Sequence, residues 1–230
     1  MVVNAMRRAQ PAAVLFSAGL DSAVLLAQAV REAPVQPIYV RAGLAWESQE
    51  LAFAARLLRS APVVHGVMPL ATLTVDMRDV YPPTHWAVRG EAPAFDTPDG
   101  DVYLEGRNVV LLAKAAVYMA RAKLTRVLMG PLAGNPFPDA TPEFFDAMGR
   151  ALSSGLAAPI AIETPLATMH KADVIRLGAA LGVPFELTLS CMQPMDRLHC
   201  GRCSKCRERR DGFAEAGIAD PTSYAQMPVR

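Results

Sequence analysis

Apolar runs alternate with longer helical segments along most of this chain, which is the pattern of strands that alternate with helices. Strands are predicted at residues 12–16, 35–40, 63–67, 126–129 and 160–163. Helices are predicted at residues 22–30, 48–59, 108–123, 142–155 and 171–181. Because helices between successive strands carry the chain back across a sheet, we expect an α/β fold with a parallel twisted sheet flanked by helices.

The segment 70–102 interrupts this alternation. It contains Pro82-Pro83, Pro93 and Pro98-Asp99-Gly100, and it keeps no sustained period of either kind. Long irregular segments in compact domains are often lids or binding loops. We therefore expect a binding loop here, and whether it closes over a site stays open.

Composition and charge favour a folded protein with a small-molecule partner. Hydrophobic residues make up 52% of the 230 residues, and 23 basic against 22 acidic residues leave a net charge of +1. Such a balance provides no overall attraction to a polyanion. No apolar run approaches the ~18 residues that span a bilayer, and residues 1–8 lack the apolar core of a signal peptide. We expect a cytoplasmic protein that binds neither nucleic acid nor membrane.

The segment Ser17-Ala18-Gly19-Leu20-Asp21-Ser22 joins the first predicted strand to the first predicted helix. Small residues at such a turn let backbone N–H groups approach an anion, and the helix N-terminus favours negative charge. The segment lacks the Gly-Lys-Ser/Thr of a Walker A loop, so γ-phosphate transfer from a P-loop is not indicated. We expect Ala18 to adopt an ordinary backbone conformation. The alternative is a serine-rich turn in which Asp21 only caps the helix.

All four cysteines lie near the C-terminal end in the spacing C-x8-C-x2-C-x2-C, at Cys191, Cys200, Cys203 and Cys206. Cysteines clustered in this way in a reducing compartment indicate a metal site, and four thiolates complete a closed tetrahedral zinc site. An iron–sulfur cluster is the alternative. His199 could replace one ligand, although a surface position is the simpler expectation. We predict an α/β domain at 1–185 and a cysteine segment at 186–230 packed on it.

Three further places carry candidate side chains. Arg107 and Asn108 begin a predicted helix, where they could hold a phosphate or a planar heterocycle, or serve only as an ion-pair partner and an N-cap. Phe137 and Asp139 follow the strand at 126–129 and could stack on and hydrogen-bond a substrate, or belong to a rigid surface turn. Lys171 begins a helix and could neutralise charge on a departing pyrophosphate.

The loop at 17–22 resembles the Ser-Gly-Gly-X-Asp-Ser pyrophosphatase loop (PP-loop) of adenylating enzymes, with Ala18 where glycine is usual. Taken together, the motifs resemble the 7-cyano-7-deazaguanine synthase family of queuosine biosynthesis. They are the segments Phe16–Ser22, Gly106–Asn108, Pro138-Asp139, Glu143–Phe145, Glu163–Leu166, Lys171–Ile175, Leu187–Cys191, Cys200–Arg207, Gly212-Phe213, Ala216-Gly217 and Asp220–Thr222.

The resemblance implies an adenine-nucleotide hydrolase-like fold, ATP, Mg²⁺, structural Zn²⁺ and usually a homodimer. It also implies an ATP-dependent ligase that adenylates 7-carboxy-7-deazaguanine, forms an amide with ammonia and activates the amide with a second ATP to give the nitrile. On this mapping the ATP loop comprises Phe16, Ser17, Ala18, Gly19, Leu20, Asp21 and Ser22. The catalytic residues are Asp21, Ser22 and Lys171, the substrate contacts are Arg107, Asn108, Phe137 and Asp139, and the four cysteines hold zinc.

Two segments depart from the family pattern. Residues 40–47 replace the usual Asp-Tyr-Gly-Gln run and a following histidine, and Asn135-Pro136-Phe137 stands where Ser-Gly-Tyr is usual, with Ala140 in place of cysteine. A paralogue that adenylates another carboxylate is therefore an alternative. Transfer-RNA thiolases and lysidine-forming enzymes use a similar loop, but the near-neutral charge weighs against them. A zinc module that binds nucleic acid through residues 197–210 would leave the first ~190 residues without a purpose.

Overall fold

The computed structural model describes residues 10–227, and the expectation that residues 1–8 lack a signal core lies outside this range. Within it, five parallel strands form one sheet in the order β3-β2-β1-β4-β5. The strands are β1 (Ala12–Leu15), β2 (Val35–Arg41), β3 (Ala71–Thr74), β4 (Arg126–Leu128) and β5 (Ala161–Glu163). The predicted α/β fold with a parallel sheet is confirmed.

Helices cover both faces of this sheet. They are α1 (Leu20–Ala29), α2 (Glu47–Leu57), α3 (Trp86–Arg89), α4 (Arg107–Ala122), α5 (Pro142–Leu156), α6 (Lys171–Leu181) and α7 (Ser204–Ala216). Short 3-10 turns lie at Asp99–Val102, Pro138–Ala140 and Phe185–Leu187. No helix among residues 10–227 is long and apolar enough to cross a membrane.

Alternation along β1 divides the core between the two faces. Val14 packs with α1, α2, α6 and α7, whereas Ala13 packs with α4 and α5 on the other side. Successive side chains of a strand point to opposite faces, and in a parallel sheet both faces are covered by helices. Helix α1 is buried almost all round because it lies between the sheet and α6. This burial fixes the turn that precedes it.

The predicted strand at 63–67 is wrong. The backbone N–H of Val63 donates to the Ser60 carbonyl, and that of Gly66 donates to the Val63 carbonyl, so the segment forms turns. Val67 alone bridges to Val35, and the third strand lies further on at Ala71–Thr74. That strand is at the edge of the sheet and alternates half-buried with exposed residues, so it lacks the apolar run that marks the inner strands.

The segment 70–102 is more ordered than its sequence suggests. Besides β3 it contains α3 and a 3-10 turn, and it packs on a third hydrophobic cluster that includes Trp46, Tyr81 and Met192.

Helix α7 in the cysteine segment is not predicted from the sequence. Its sequence Ser-Lys-Cys-Arg-Glu-Arg-Arg-Asp offers few apolar positions, and its buried face consists largely of Cys206, Arg209 and Phe213. The domain division at residue 185 stays a prediction.

Candidate functional site

Two adjoining cavities of about 310 and 280 Å³ form one cleft at the carboxyl ends of β1, β2 and β4. The chain leaves β1 toward β2 on one side, and β4 lies on the other side. In open α/β sheets ligands bind at such a reversal of strand order. Ser17, Gly19, Asp21, Arg107 and Asn108 line both cavities. The fold therefore brings the predicted nucleotide loop and the start of α4 to one place.

The nucleotide loop is held by its own hydroxyl groups. The Ser17 Oγ accepts from the Gly19 N–H at 3.2 Å, and the Ser22 Oγ donates to the Gly19 carbonyl at 3.0 Å. Gly19 is the N-cap position of α1, and no side chain among the described residues caps this helix end. The first N–H groups of a helix have no acceptor within it. They are thus available to an anion at this point of the cleft.

The expectation for Ala18 is wrong, because its φ of 59° is left-handed. This conformation costs a non-glycine residue about 1–2 kcal/mol, which explains why glycine is usual at this position of the loop. Burial of the side chain and one hydrogen bond hold Ala18 in this conformation: the side chain is fully buried, and the Leu189 N–H donates to the Ala18 carbonyl at 2.9 Å. The cysteine segment therefore helps to fix the nucleotide loop.

A chain of ion pairs connects this loop to α7. The Lys171 Nζ lies 2.7 Å from an Asp21 carboxylate oxygen and 2.7 Å from Glu208 Oε1, and Lys205 Nζ lies 2.6 Å from Glu208 Oε2. Burial lowers the pKa of Lys171, but the carboxylates of Asp21 and Glu208 outweigh it and raise that pKa. Burial of Glu208 is likewise outweighed by Lys171 and Lys205, which hold its pKa at about 2. Lys171 and Glu208 are therefore both charged at neutral pH.

The substrate-contact predictions fall on the same cleft, but two of these side chains bind each other. Asp139 is buried, and its Oδ2 accepts from the Asn108 N–H at 3.0 Å, while the Asn108 Nδ2 donates to the Asp139 carbonyl at 2.9 Å. Asp139 thus caps the start of α4, and burial raises its pKa. Gly106, with a φ of 72°, is the N-cap residue of α4, so the alternative N-cap role of Asn108 is wrong.

Arg107 and Phe137 remain directed to the cleft. Phe137 stacks on Tyr103 with 5.1 Å between ring centroids. The Arg107 Nε is buried and has no hydrogen-bond partner within residues 10–227. A buried donor without a partner costs free energy. Binding of a ligand that supplies a hydrogen-bond acceptor to this Nε would therefore be favourable.

A buried pair, Tyr39 and Glu50, lines the cleft and is not predicted from the sequence. The Tyr39 hydroxyl donates to Glu50 Oε2 at 2.5 Å, and Glu50 is only 8% exposed. Burial raises the Glu50 pKa to about 7, against the opposing effects of Arg107 and Tyr39. Burial and the Glu50 charge also raise the Tyr39 pKa. The available signal was Glu47 and Glu50, two acidic residues spaced i,i+3 in the first turn of α2.

We expect Glu50→Gln to remove a pH dependence of folding stability. A carboxyl whose pKa rises from 4.5 unfolded to about 7 folded binds more protons when folded, so it loses stability as pH rises between these values. The penalty amounts to about 3 kcal/mol above pH 7. Urea unfolding at pH 5 and pH 8 should show the variant gaining stability relative to the parent protein at pH 8 alone. An equal difference at both pH values would contradict the raised pKa.

The four cysteines form one buried cluster. Their sulfur atoms lie within 4.8 Å of one another, and three pairs are 3.5, 3.9 and 4.0 Å apart. Four sulfurs at about 2.3 Å from a tetrahedral zinc ion are about 3.8 Å apart, so the geometry fits such an ion. The Cys191 Sγ also accepts from the Cys200 N–H at 3.2 Å, and the Cys200 Sγ accepts from the Arg202 N–H at 3.4 Å. N–H donors of this kind suit thiolates.

His199 is not a surface residue, because it is 3% exposed and its ring packs on Tyr224. Its Nε2 accepts from the Ser190 N–H at 3.1 Å, so the ring fixes the backbone beside Cys191. Burial and the nearby Arg209 charge lower its pKa to about 3. The imidazole is therefore neutral, and four sulfurs form the cluster without it.

The basic run at 197–210 is used within the protein. Arg209 is 1% exposed and donates to Thr188, Ser190, Thr222 and the Phe185 carbonyl. Arg207 donates to the carbonyls of Phe95 and Thr97. These two arginines join α7 to the rest of the chain. Because their side chains are engaged within the protein, the region does not resemble a module that binds nucleic acid.

Comparison with known proteins gives consistent matches. The family model "Queuosine biosynthesis protein QueC" matches residues 11–217. The chain is 34% identical over 235 residues to the 7-cyano-7-deazaguanine synthase of Anaeromyxobacter dehalogenans, covering 98% of this chain and 100% of that one. It is 36% identical over 244 residues to that of Solidesulfovibrio magneticus, covering 94% and 96%. A 4-thiouridine synthetase crystallised with RNA and bound ATP is a weaker likeness, with 14% identity, a TM-score of 0.49 and coverage of 90% and 51%.

Proposed function

Because the chain belongs to the QueC family of queuosine biosynthesis proteins, as its motifs predicted, we propose that it is an AMP-releasing ligase that makes 7-cyano-7-deazaguanine from 7-carboxy-7-deazaguanine. The observation that carries the proposal is the cleft itself. The PP-loop, Asp21 and Lys171 line one wall of it, and aromatic side chains line another.

The cleft offers a place for each substrate, and its two cavities meet at the PP-loop residues Ser17, Gly19 and Asp21, where the phosphates of ATP lie. The cavity of about 280 Å³ lies over the ends of β1, β2 and β4, which suits ATP. The cavity of about 310 Å³ extends toward the cysteine segment and is lined by Trp46, Trp86, Tyr103 and Phe137. Trp46 and Trp86 stack with 5.7 Å between centroids. Flat aromatic walls suit a planar heterocycle such as a deazaguanine.

The chemistry requires two rounds of adenylation. A carboxylate oxygen of the substrate attacks the α-phosphorus of ATP and pyrophosphate leaves; ammonia then displaces AMP and gives the amide. The amide oxygen attacks the α-phosphorus of a second ATP and pyrophosphate leaves; departure of AMP together with both N–H protons then gives the nitrile. In each round the loop N–H groups and Lys171 stabilise negative charge that moves onto the departing pyrophosphate. Arg107 supplies a further donor, its Nε, which has no hydrogen-bond partner among the described residues.

Two metals fit the residues present. Asp21 is the acidic residue of the loop, and carboxylate oxygens suit Mg²⁺, which neutralises phosphate charge when bound. The four cysteines suit a closed Zn²⁺ site, which holds the segment that supports the loop through Leu189. A homodimer, ammonia as the nitrogen donor and a cytoplasmic location stay predictions.

Substrate incubations test the proposal. The zinc-loaded protein is given ATP, Mg²⁺, ammonium and 7-carboxy-7-deazaguanine, and AMP and the nitrile are measured by chromatography and mass spectrometry. A matched reaction contains an unrelated aromatic carboxylic acid. We expect AMP and nitrile only with the deazaguanine acid. AMP release with other acids but not with this one would instead identify a paralogue, which the altered residues Ala42, Leu44 and Trp46 in the cleft wall would explain.

A further inference from the structure

The cysteine segment places charged side chains of its own beside the nucleotide loop. Lys205 and Glu208 lie one turn apart on α7, and both line the same cavity as Ser17, Gly19 and Asp21. Neither residue is among those that the family resemblance assigns to ATP. Lys205 immediately precedes Cys206, so metal binding and the placement of this side chain are linked.

One carboxylate holds two ammonium groups side by side here. Glu208 Oε1 is 2.7 Å from Lys171 Nζ, and Glu208 Oε2 is 2.6 Å from Lys205 Nζ. The other acidic neighbours differ between the two lysines. Lys171 also contacts Asp21 at 2.7 Å, whereas the only further acidic contact of Lys205 within residues 10–227 is the half-exposed Asp99 at 3.9 Å.

This arrangement suits a diphosphate better than a purely structural role. An exposed i,i+3 ion pair contributes little to stability, but these side chains are only 18–27% exposed and border a cavity next to free helix N–H groups. The two lysine side chains are already ordered, so they lose little further conformational entropy when a polyanion binds. Two ammonium groups held by one carboxylate match the several anionic oxygens of a diphosphate.

We propose that Lys205 is a second phosphate-binding cation, positioned by Glu208 beside Lys171, and that it binds the β- and γ-phosphates of ATP and the pyrophosphate released from them. The cysteine segment then completes the nucleotide site in addition to supporting the loop. This inference rests on the proposed ATP-dependent function, but it does not depend on which acid is adenylated.

Binding of inorganic pyrophosphate tests the inference without any acceptor. Titration calorimetry with Mg²⁺ and pyrophosphate is carried out on the zinc-loaded parent protein and on Lys205→Met. We expect the variant to bind about tenfold more weakly, since it loses a charge-assisted contact. Lys205→Arg, which keeps the charge, should recover most of the affinity. Lys114→Met is the matched control, because Lys114 is exposed on α4 and lies outside the cleft.

Zinc content and melting temperature are measured for every variant, so that a folding defect is recognised. Glu208→Gln provides a second route, since it keeps the shape of the side chain but no longer holds two ammonium groups by charge; it should also weaken pyrophosphate binding. Equal affinity in Lys205→Met and the parent protein would overturn the inference and leave the proposed function intact. A parent protein that does not bind pyrophosphate would also overturn the inference, whereas the proposed function would be overturned only by the absence of AMP and nitrile in the substrate incubation.

Discussion

Asp21→Asn is expected to lower AMP formation by on the order of 100-fold or more, with folding and metal content unchanged. Asp21 is in the first turn of α1, where both of its carboxylate oxygens contact the Lys171 Nζ at 2.7–2.8 Å. Asparagine keeps the size of the side chain but removes the charge that orients Lys171 and suits Mg²⁺ at the phosphates. Steady-state AMP release under saturating acid and ammonium measures the effect.

The control for this substitution is Asp146→Asn, which makes the same change at an exposed position of α5. It should leave AMP formation unchanged. Near-parental turnover of Asp21→Asn would contradict a role of the Asp21 charge in the reaction. Asp21 would then serve only as the ion-pair partner of Lys171.

Cys203→Ser should cause the largest loss of stability, about 4 kcal/mol or more under conditions where zinc exceeds its dissociation constant a thousandfold. Cys203 is 2% exposed and is the N-cap residue of α7, so the substitution removes a metal ligand at the start of the helix that carries Arg209. A serine hydroxyl is a poor replacement for a thiolate. Urea unfolding, together with metal analysis of the purified protein, measures the loss.

Chelator treatment of the parent protein is the control, since it removes the metal without changing the sequence. It should lower stability to a similar degree, because metal binding contributes directly to folding free energy. It should also weaken ATP binding, since the Leu189 N–H and the Glu208 carboxylate reach the nucleotide site from the cysteine segment. Full stability in the metal-free protein would contradict a structural metal.

The inner strands follow from the sequence because they are largely apolar, and the main helices follow because they are long and alternate regularly with the strands. The edge strand at Ala71–Thr74 does not, since one side of it is exposed and the other is only half-buried, so it lacks an apolar run. Helix α7 escaped prediction for a related reason: its buried face uses Arg209 where most helices use an apolar residue. A buried arginine becomes favourable only when distant acceptors such as Thr188 and Thr222 meet it.

The site shows the same division between local and distant information. Loop 17–22 and the four cysteines are motifs of residues close together in the sequence, so their chemistry can be inferred before the fold is known. The left-handed backbone of Ala18 depends on the remote Leu189, and the Glu208 contact with Lys171 joins residues of two different helices. The Tyr39–Glu50 pair likewise joins a strand to the following helix. Such contacts carry no short sequence pattern.

The ratio of AMP to nitrile formed in one reaction tests the proposed two rounds of adenylation most directly. Zinc-loaded protein is incubated with limiting 7-carboxy-7-deazaguanine, excess ATP and ¹⁵N-labelled ammonium, and AMP, ADP, pyrophosphate and labelled nitrile are quantified together. We expect two AMP and two pyrophosphate for each nitrile that carries the label, with the labelled amide appearing first. Nitrile or amide formed with ADP in place of AMP, or no consumption of the acid by a folded and zinc-loaded protein, would contradict the proposal.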